Sequence, residues 1–164
     1  MMVFLIGMPG SGKTTFGKGL ATELKLPFLD MDALIENREG ISVQEIFASK
    51  GEDHFRLLEM NCLREIRNDS VVATGGGSPC FHNNMDYMNT RGITVWLETP
   101  IAILLERMQS GGTEHRPLMR SDSDLNEHLK EMTKKRLPFY EQAQIHLNMV
   151  QVDPLKVLLD QLRS

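Results

Sequence analysis

The sequence predicts an α/β fold in which a parallel sheet is covered by helices on both faces. Two observations carry that expectation. Strand-like and helix-like stretches alternate about five times along the 164 residues. The first strand also runs straight into Gly7-Met-Pro-Gly-Ser-Gly-Lys13-Thr14, the G-x-x-x-x-G-K-[ST] pattern of a phosphate-binding loop that opens a helix. A third observation agrees: the loops expected after the second and third strands carry Asp30 and Asp32, then Gly75-Gly76-Gly77. Unusual residues thus gather at the carboxyl ends of the strands, where open α/β sheets bind ligands.

The elements follow in order. Met2 to Ile6 is an apolar run that reads as a buried strand. Phe16, Leu20 and Leu24 recur every four residues and draw an apolar stripe down the next helix, which Lys25-Leu-Pro27 breaks. Phe28-Leu29 is a short strand ending in Asp30-Met31-Asp32, and Ala33 to Arg38 is helical until Gly40 stops it. Ser42 and Glu45 are spaced as a capping box, and Gly51 separates that helix from a second helical stretch between Glu52 and Asn68. Ser70 to Thr74 is a β-branched strand. His82 to Thr90 is helical, Ile93 to Leu97 is a strand, and Thr99-Pro100 supplies an N-cap and first-turn proline for Ile101 to Met108. Gly112 to Ser123 has no period. Asp124 and Glu127 cap a helix through Lys135 that Pro138 must end or kink, and Ile145 to Val152 is the last strand. Asp153-Pro154 caps an amphipathic final helix carrying Leu155, Leu158, Leu159 and Leu162.

Composition narrows the function classes. A chain of this size buries a core as one domain, spanning 1–164. Its formal net charge of -4 argues against a nucleic-acid or polybasic membrane surface as the main partner. Cys62 and Cys80 show neither disulfide-framework nor zinc-ligand spacing, which fits a reduced cytoplasm. The first apolar run is too short for a membrane span or a leader. The eleven methionines read as core filler.

The chemistry begins with a phosphate cradle. Gly7, Gly10 and Gly12 let backbone N–H groups converge on one anion, Lys13 adds a point charge, and the Thr14 hydroxyl can reach Mg2+. Asp30 can join Thr14 around that ion through water; otherwise it is a turn aspartate. Asp32 can orient and deprotonate a substrate hydroxyl for attack on a γ-phosphate, or cap the helix from Ala33. Arg56 and Arg136 can each fork to a carboxylate, but a lone arginine on a helix is more often a solvated charge, and on the residues alone that plainer reading leads. Three consecutive glycines at 75–77 exceed what one tight turn needs and suit close approach to a flat ligand. Arg116, in the aperiodic stretch, suits a lid that carries a cation to the transferring phosphate, with a solvated loop charge as the competitor. Arg107 can stack on adenine or favour the negative end of its helix.

These residues together resemble the shikimate kinase family. GMPGSGKTT at the P-loop, FLDMD, GEDHFR at Gly51 to Arg56, ATGGGS at Ala73 to Ser78, RPLM at Arg116 to Met119 and R-x-x-x-Y-x-x-A at Arg136 to Ala143 run in order over nearly the whole chain. The resemblance implies a nucleoside-monophosphate-kinase-like P-loop fold with a five-stranded parallel sheet, a substrate-binding excursion at about 32–61 and a lid at about 111–124. It implies ATP and shikimate as substrates, Mg2+ as cofactor with Thr14 and, through water, Asp30 around it, and a cytoplasmic monomer. ATP would be held by Gly10, Ser11, Gly12, Lys13, Thr14, Thr15 and Arg116, with Arg107 and Pro154 bordering adenine. Asp32 would contact the shikimate hydroxyls, Gly76 and Gly77 its ring, and Arg56 and Arg136 its carboxylate. Lys13, Asp32 and Arg116 would be catalytic. A gluconate-type or nucleoside monophosphate kinase is the related alternative; a polyol or nucleotide acceptor would not need Arg56 and Arg136 to converge on one carboxylate. A guanine-specific switch, the reading from another class, would want an Asn-Lys-x-Asp stretch, and the sequence has none.

Overall fold

The computed structural model describes residues 1–110 and 122–164. Its elements are β1 (Met2–Ile6), α1 (Lys13–Leu24), β2 (Phe28–Asp30), α2 (Met31–Glu39), α3 (Val43–Glu65), β3 (Ser70–Ala73), a 3-10 turn (Ser78–Cys80), α4 (Asn84–Arg91), β4 (Ile93–Glu98), α5 (Ile101–Ser110), α6 (Asp122–Tyr140), β5 (Ile145–Asn148) and α7 (Pro154–Arg163). Among the described residues, one five-stranded parallel sheet has the order β2-β3-β1-β4-β5.

β1 is central because it is apolar on both sides, as a doubly covered parallel strand must be. Val3 and Leu5 point into a core shared with Leu20, Leu147 and Leu158. Phe4 and Ile6 point the other way, into a core with Ile35, Leu63, Leu104 and Leu129. Alternate side chains of one strand thus hold a helix layer on each face. The carboxyl ends of β1, β2 and β3 lie side by side, with Leu5 and Asp30 both in register with Ala73. That register brings the P-loop, Asp30-Met31-Asp32 and the glycine triplet to one sheet edge.

Several boundaries differ from the sequence expectation for local reasons. Asp32 is not the cap of a helix from Ala33: α2 starts at Met31, and Asp30 caps it by accepting from Ala33 N at 3.2 Å. Ser42 caps as expected, and Gly51, at φ 83, divides α3. Helix α4 starts at Asn84, because His82 and Asn83 hold left-handed φ values of 52 and 55. Thr99 Oγ1 donates to Leu97 O at 3.4 Å, while the Pro100 carbonyl accepts from Ile103 and Leu104. Pro138 neither ends nor breaks α6, which runs on to Tyr140. The ladder bond that it removes belongs to the carbonyl of the exposed Lys134, which water can satisfy. β5 stops at Asn148 because Asn148 Oδ1 accepts from Val150 N and turns the chain, leaving Val152 92% exposed. Asp153 caps α7 by accepting from Lys156 N.

Candidate active site

The phosphate cradle is built as its glycines require. Gly10 and Gly12 take φ values of 84 and 91, which side-chain-bearing residues rarely adopt, and Gly12 leads directly into α1. Lys13 folds back over the loop and donates to Gly7 O at 2.7 Å and Met8 O at 3.0 Å. Burial pulls its ammonium down to about 8, although the neighbouring Asp32 and Asp30 work to raise it. Ser11 is fully buried inside the loop. Arg107, from α5, donates to Gly10 O at 2.8 Å, so it lies on the P-loop rather than serving only its own helix end. Pro154 begins α7, which packs beside α1 through Leu155, 3.7 Å from where a Cβ on Gly19 would sit.

Asp30 serves two neighbours. One carboxylate oxygen caps α2, and the other accepts from the Thr14 hydroxyl at 3.0 Å. A hydroxyl and a carboxylate adjoining at a P-loop are the hard oxygen donors that Mg2+ takes from a protein while phosphates and water complete its shell. The residues present therefore fit that ion. Because Asp30 takes the capping role, the carboxylate of Asp32 faces the cleft, with Oδ1 3.2 Å from the place a Cβ would occupy on Gly75. Burial, then the charge of Asp30, raises the Asp32 pKa, and Lys13 opposes both. Thr14, Thr15, Lys13, Asp30, Asp32 and Gly76 line a cleft of about 310 Å³.

The glycine triplet has a specific reason to lack side chains, and it is not left-handed backbone. None of the three has a positive φ. Each instead lies against a charged group. A Cβ on Gly75 would sit 2.5 Å from Glu59 Oε2, one on Gly76 2.9 Å from Arg136 Nη1, and one on Gly77 2.6 to 2.9 Å from three atoms of the Arg56 guanidinium. Arg56 and Arg136, from α3 and α6, thus converge on adjacent residues of one loop. They also line a second cleft, of about 490 Å³. The solvated-charge reading fails for Arg56, which is 7% exposed. Arg136 is half-buried, and its Nη1 is buried without a hydrogen-bond partner among the described residues.

Three residues that sequence reasoning left without a role hold this arrangement. Glu59 is 1% exposed, and its Oε1 accepts from Arg56 Nη1 at 2.7 Å. Burial pushes its carboxyl up to about 7 despite that bond. Its position three residues beyond Arg56 on one helix was a legible signal. Tyr140 donates to Gly76 O at 2.6 Å, and burial pushes its phenol up to about 12. Phe81 lies with its ring centroid 4.4 Å from Arg56 Cζ; no spacing rule pointed to it. Arg116 lies outside the described residues, as does the lid expected at about 111–124 up to residue 121; its last residues, 122–124, belong to α6.

A family model described as shikimate kinase matches residues 9–162. A curated protein named shikimate kinase from Phocaeicola vulgatus is 46% identical over 145 residues, covering 86% of this chain and 82% of its own. The crystal structure of shikimate kinase from Bacteroides thetaiotaomicron superposes with a TM-score of 0.93 at 36% identity, covering 100% of this chain and 99% of that one. That of shikimate kinase from Acinetobacter baumannii in complex with shikimate gives 0.86 at 34% identity, covering 98% and 90%. Among the described residues, no helix is long and apolar enough to cross a membrane.

Proposed function

The chain belongs to the shikimate kinase family, and from that premise we propose how its own residues perform the reaction. The activity is ATP-dependent phosphorylation of the 3-hydroxyl of shikimate, giving shikimate 3-phosphate and ADP on the route to chorismate and the aromatic amino acids. The observation that carries the assignment of roles is the convergence of Arg56 and Arg136 on Gly77 and Gly76, beside the cleft that holds Lys13 and Asp32.

The acceptor's carboxylate meets the two guanidinium groups, whose planar forks match it better than ammonium groups would. Its ring lies over Gly76 and Gly77, where bare backbone permits close approach. The 3-hydroxyl then reaches Asp32. The raised basicity of that carboxylate suits it to take the hydroxyl proton as the oxygen–phosphorus bond forms and the bond from the γ-phosphorus to the bridging oxygen of ADP breaks. Gly10, Ser11, Gly12, Thr14 and Thr15 hold the phosphates by backbone and hydroxyl donors, and Lys13 leaves its loop carbonyls for them. Arg107 and Pro154 border the base. Thr14 and, through water, Asp30 would hold Mg2+, which when bound neutralises charge on the β- and γ-phosphates. Arg116 would add a cation to the transferring group as the lid at about 111–124 closes, excluding water and so limiting ATP hydrolysis. The working unit is one cytoplasmic monomeric domain over 1–164, with the acceptor excursion at about 32–61.

An acceptor panel tests this reading. Purified protein with ATP and Mg2+ should release ADP with shikimate and little with gluconate, AMP or CMP. Equal turnover of all four would contradict it.

A further inference from the structure

Phe81 is a large aromatic side chain that the core does not use. It belongs to neither of the two hydrophobic clusters, and it is 36% exposed. It lies instead against a cation. Three rings approach the Arg56 guanidinium, with Cζ 5.8 Å from the centroid of Phe47, 5.6 Å from that of Phe55 and 4.4 Å from that of Phe81. Phe81 is the nearest, and it also lines the second cleft beside Arg56 and Arg136.

The backbone that delivers this ring is tied down by side chains. Phe81 is extended, and His82 and Asn83 follow it with left-handed φ, a turn that histidine and asparagine adopt more readily than most residues. Arg64 stabilises the segment from α3, donating from Nη2 to His82 O at 3.0 Å and from Nη1 to Asn84 Oδ1 at 2.9 Å. Asn84, fully buried, donates to Ser78 O at 2.8 Å and ties the segment back to the turn after the glycine triplet. Three side-chain hydrogen bonds thus fix the segment that carries Phe81.

Arg56 needs such placement. Glu59 holds Nη1, and Glu52, more than half exposed, accepts from Nε at 3.3 Å and Nη2 at 3.2 Å. These bonds engage the edges of the guanidinium and leave its faces to other neighbours. Gly77 gives room on the loop side, and the Phe81 ring supplies a flat, electron-rich contact while excluding water. We infer that Phe81 is a positioning residue for the acceptor carboxylate: its ring sets the plane of the Arg56 guanidinium and so the geometry of the fork that the carboxylate meets. The inference rests on the proposed role of Arg56 in holding that carboxylate.

The test is a set of single and double variants of the full chain: Phe81→Ala, Phe81→Leu, Phe81→Tyr, Arg56→Ala, and Phe81→Leu combined with Arg56→Ala. Steady-state kinetics are read for both substrates, and thermal unfolding identifies any variant that fails to fold. Phe81→Leu keeps the apolar volume without a π face, and Phe81→Tyr keeps the face. Phe81→Leu is expected to raise KM for shikimate about tenfold while KM for ATP and kcat stay within about twofold. Phe81→Tyr should match the parent protein, and in the Arg56→Ala background Phe81→Leu should add nothing. A Phe81→Leu protein with the parent KM for shikimate, or one whose KM for ATP rises equally, would overturn the inference, as would full additivity in the double variant. If Arg56→Ala raises KM for shikimate while Phe81→Leu does not, this inference alone fails. If Arg56→Ala leaves that KM unchanged, the reading of Arg56 fails and this inference with it.

Discussion

Arg56 Nη1 donates to Glu59 Oε1 over 2.7 Å, and the two side chains are 8% and 1% exposed. A buried pair of this kind is a poor source of net stability but costly to break, because the surviving charge stays desolvated. Its use here is placement. Glu59 fixes one edge of Arg56 from the same helix while the guanidinium lies on Gly77, so the fork is set before any acceptor arrives.

Glu59→Ala should destabilise the protein by about 3 kcal/mol in urea unfolding, and Glu59→Gln should cost less. The pH dependence has a definite sign. The folded carboxyl, at about 7, lies above its ordinary 4.5, so the native state binds the proton more tightly than the unfolded chain does. That contribution is fully present below 4.5 and is lost as pH rises through about 7. The difference in unfolding free energy between the parent protein and Glu59→Gln should fall across that window, and a difference that rises with pH would contradict the account.

Gly77→Ala places a Cβ within 2.6 to 2.9 Å of an Arg56 side chain already pinned by Glu59. The guanidinium must shift, so KM for shikimate should rise at least about tenfold, the loss expected when a charge-assisted fork is misplaced. KM for ATP should hold. A matched rise in both would show that the triplet serves the nucleotide instead.

Lys13 sits at about 8 in the free protein because burial disfavours its charge, and ATP phosphates should restore that charge. Nucleotide binding should therefore take up almost no proton at about pH 7 and close to one at about pH 9. Calorimetry of Mg-ATP binding in buffers of different ionisation enthalpy measures this. Uptake independent of pH would remove Lys13 from the phosphates.

Asp30→Asn separates the two jobs of that residue. Asparagine caps a helix as well as aspartate does, so α2 and the melting temperature should be preserved. The lost charge beside Thr14 should raise the Mg2+ concentration for half-maximal activity several-fold, which a Mg2+ titration at fixed ATP reads directly. An unchanged requirement would place the ion elsewhere.

Much of the site was legible because its parts are local. The P-loop and its helix follow from glycine spacing and a strand, and the parallel sheet follows from alternation and doubly apolar strands such as β1. Cap competition was harder: Asp30 and Asp32 stand two residues apart, and only the start of α2 at Met31 decides which one is bonded to the backbone. Arg56 and Arg136 are 80 residues apart, and no periodicity relates them. Only the fold shows them resting on neighbouring glycines. The triplet was noticed for the right loop, but its cause is the bulk of Glu59, Arg136 and Arg56 against bare backbone, a tertiary fact that local sequence does not carry. Phe81 was invisible for the same reason, since its partner lies on another element.

The claim that two arginines choose the acceptor by its carboxylate is tested most directly by comparing kcat/KM for shikimate with that for shikimate methyl ester, which keeps every hydroxyl and removes the charge. The ester should be poorer by about a hundredfold or more, because the Arg56 fork would lose its charged acceptor and the buried Arg136 Nη1 would gain none. An ester turned over within about twofold of shikimate would contradict the account.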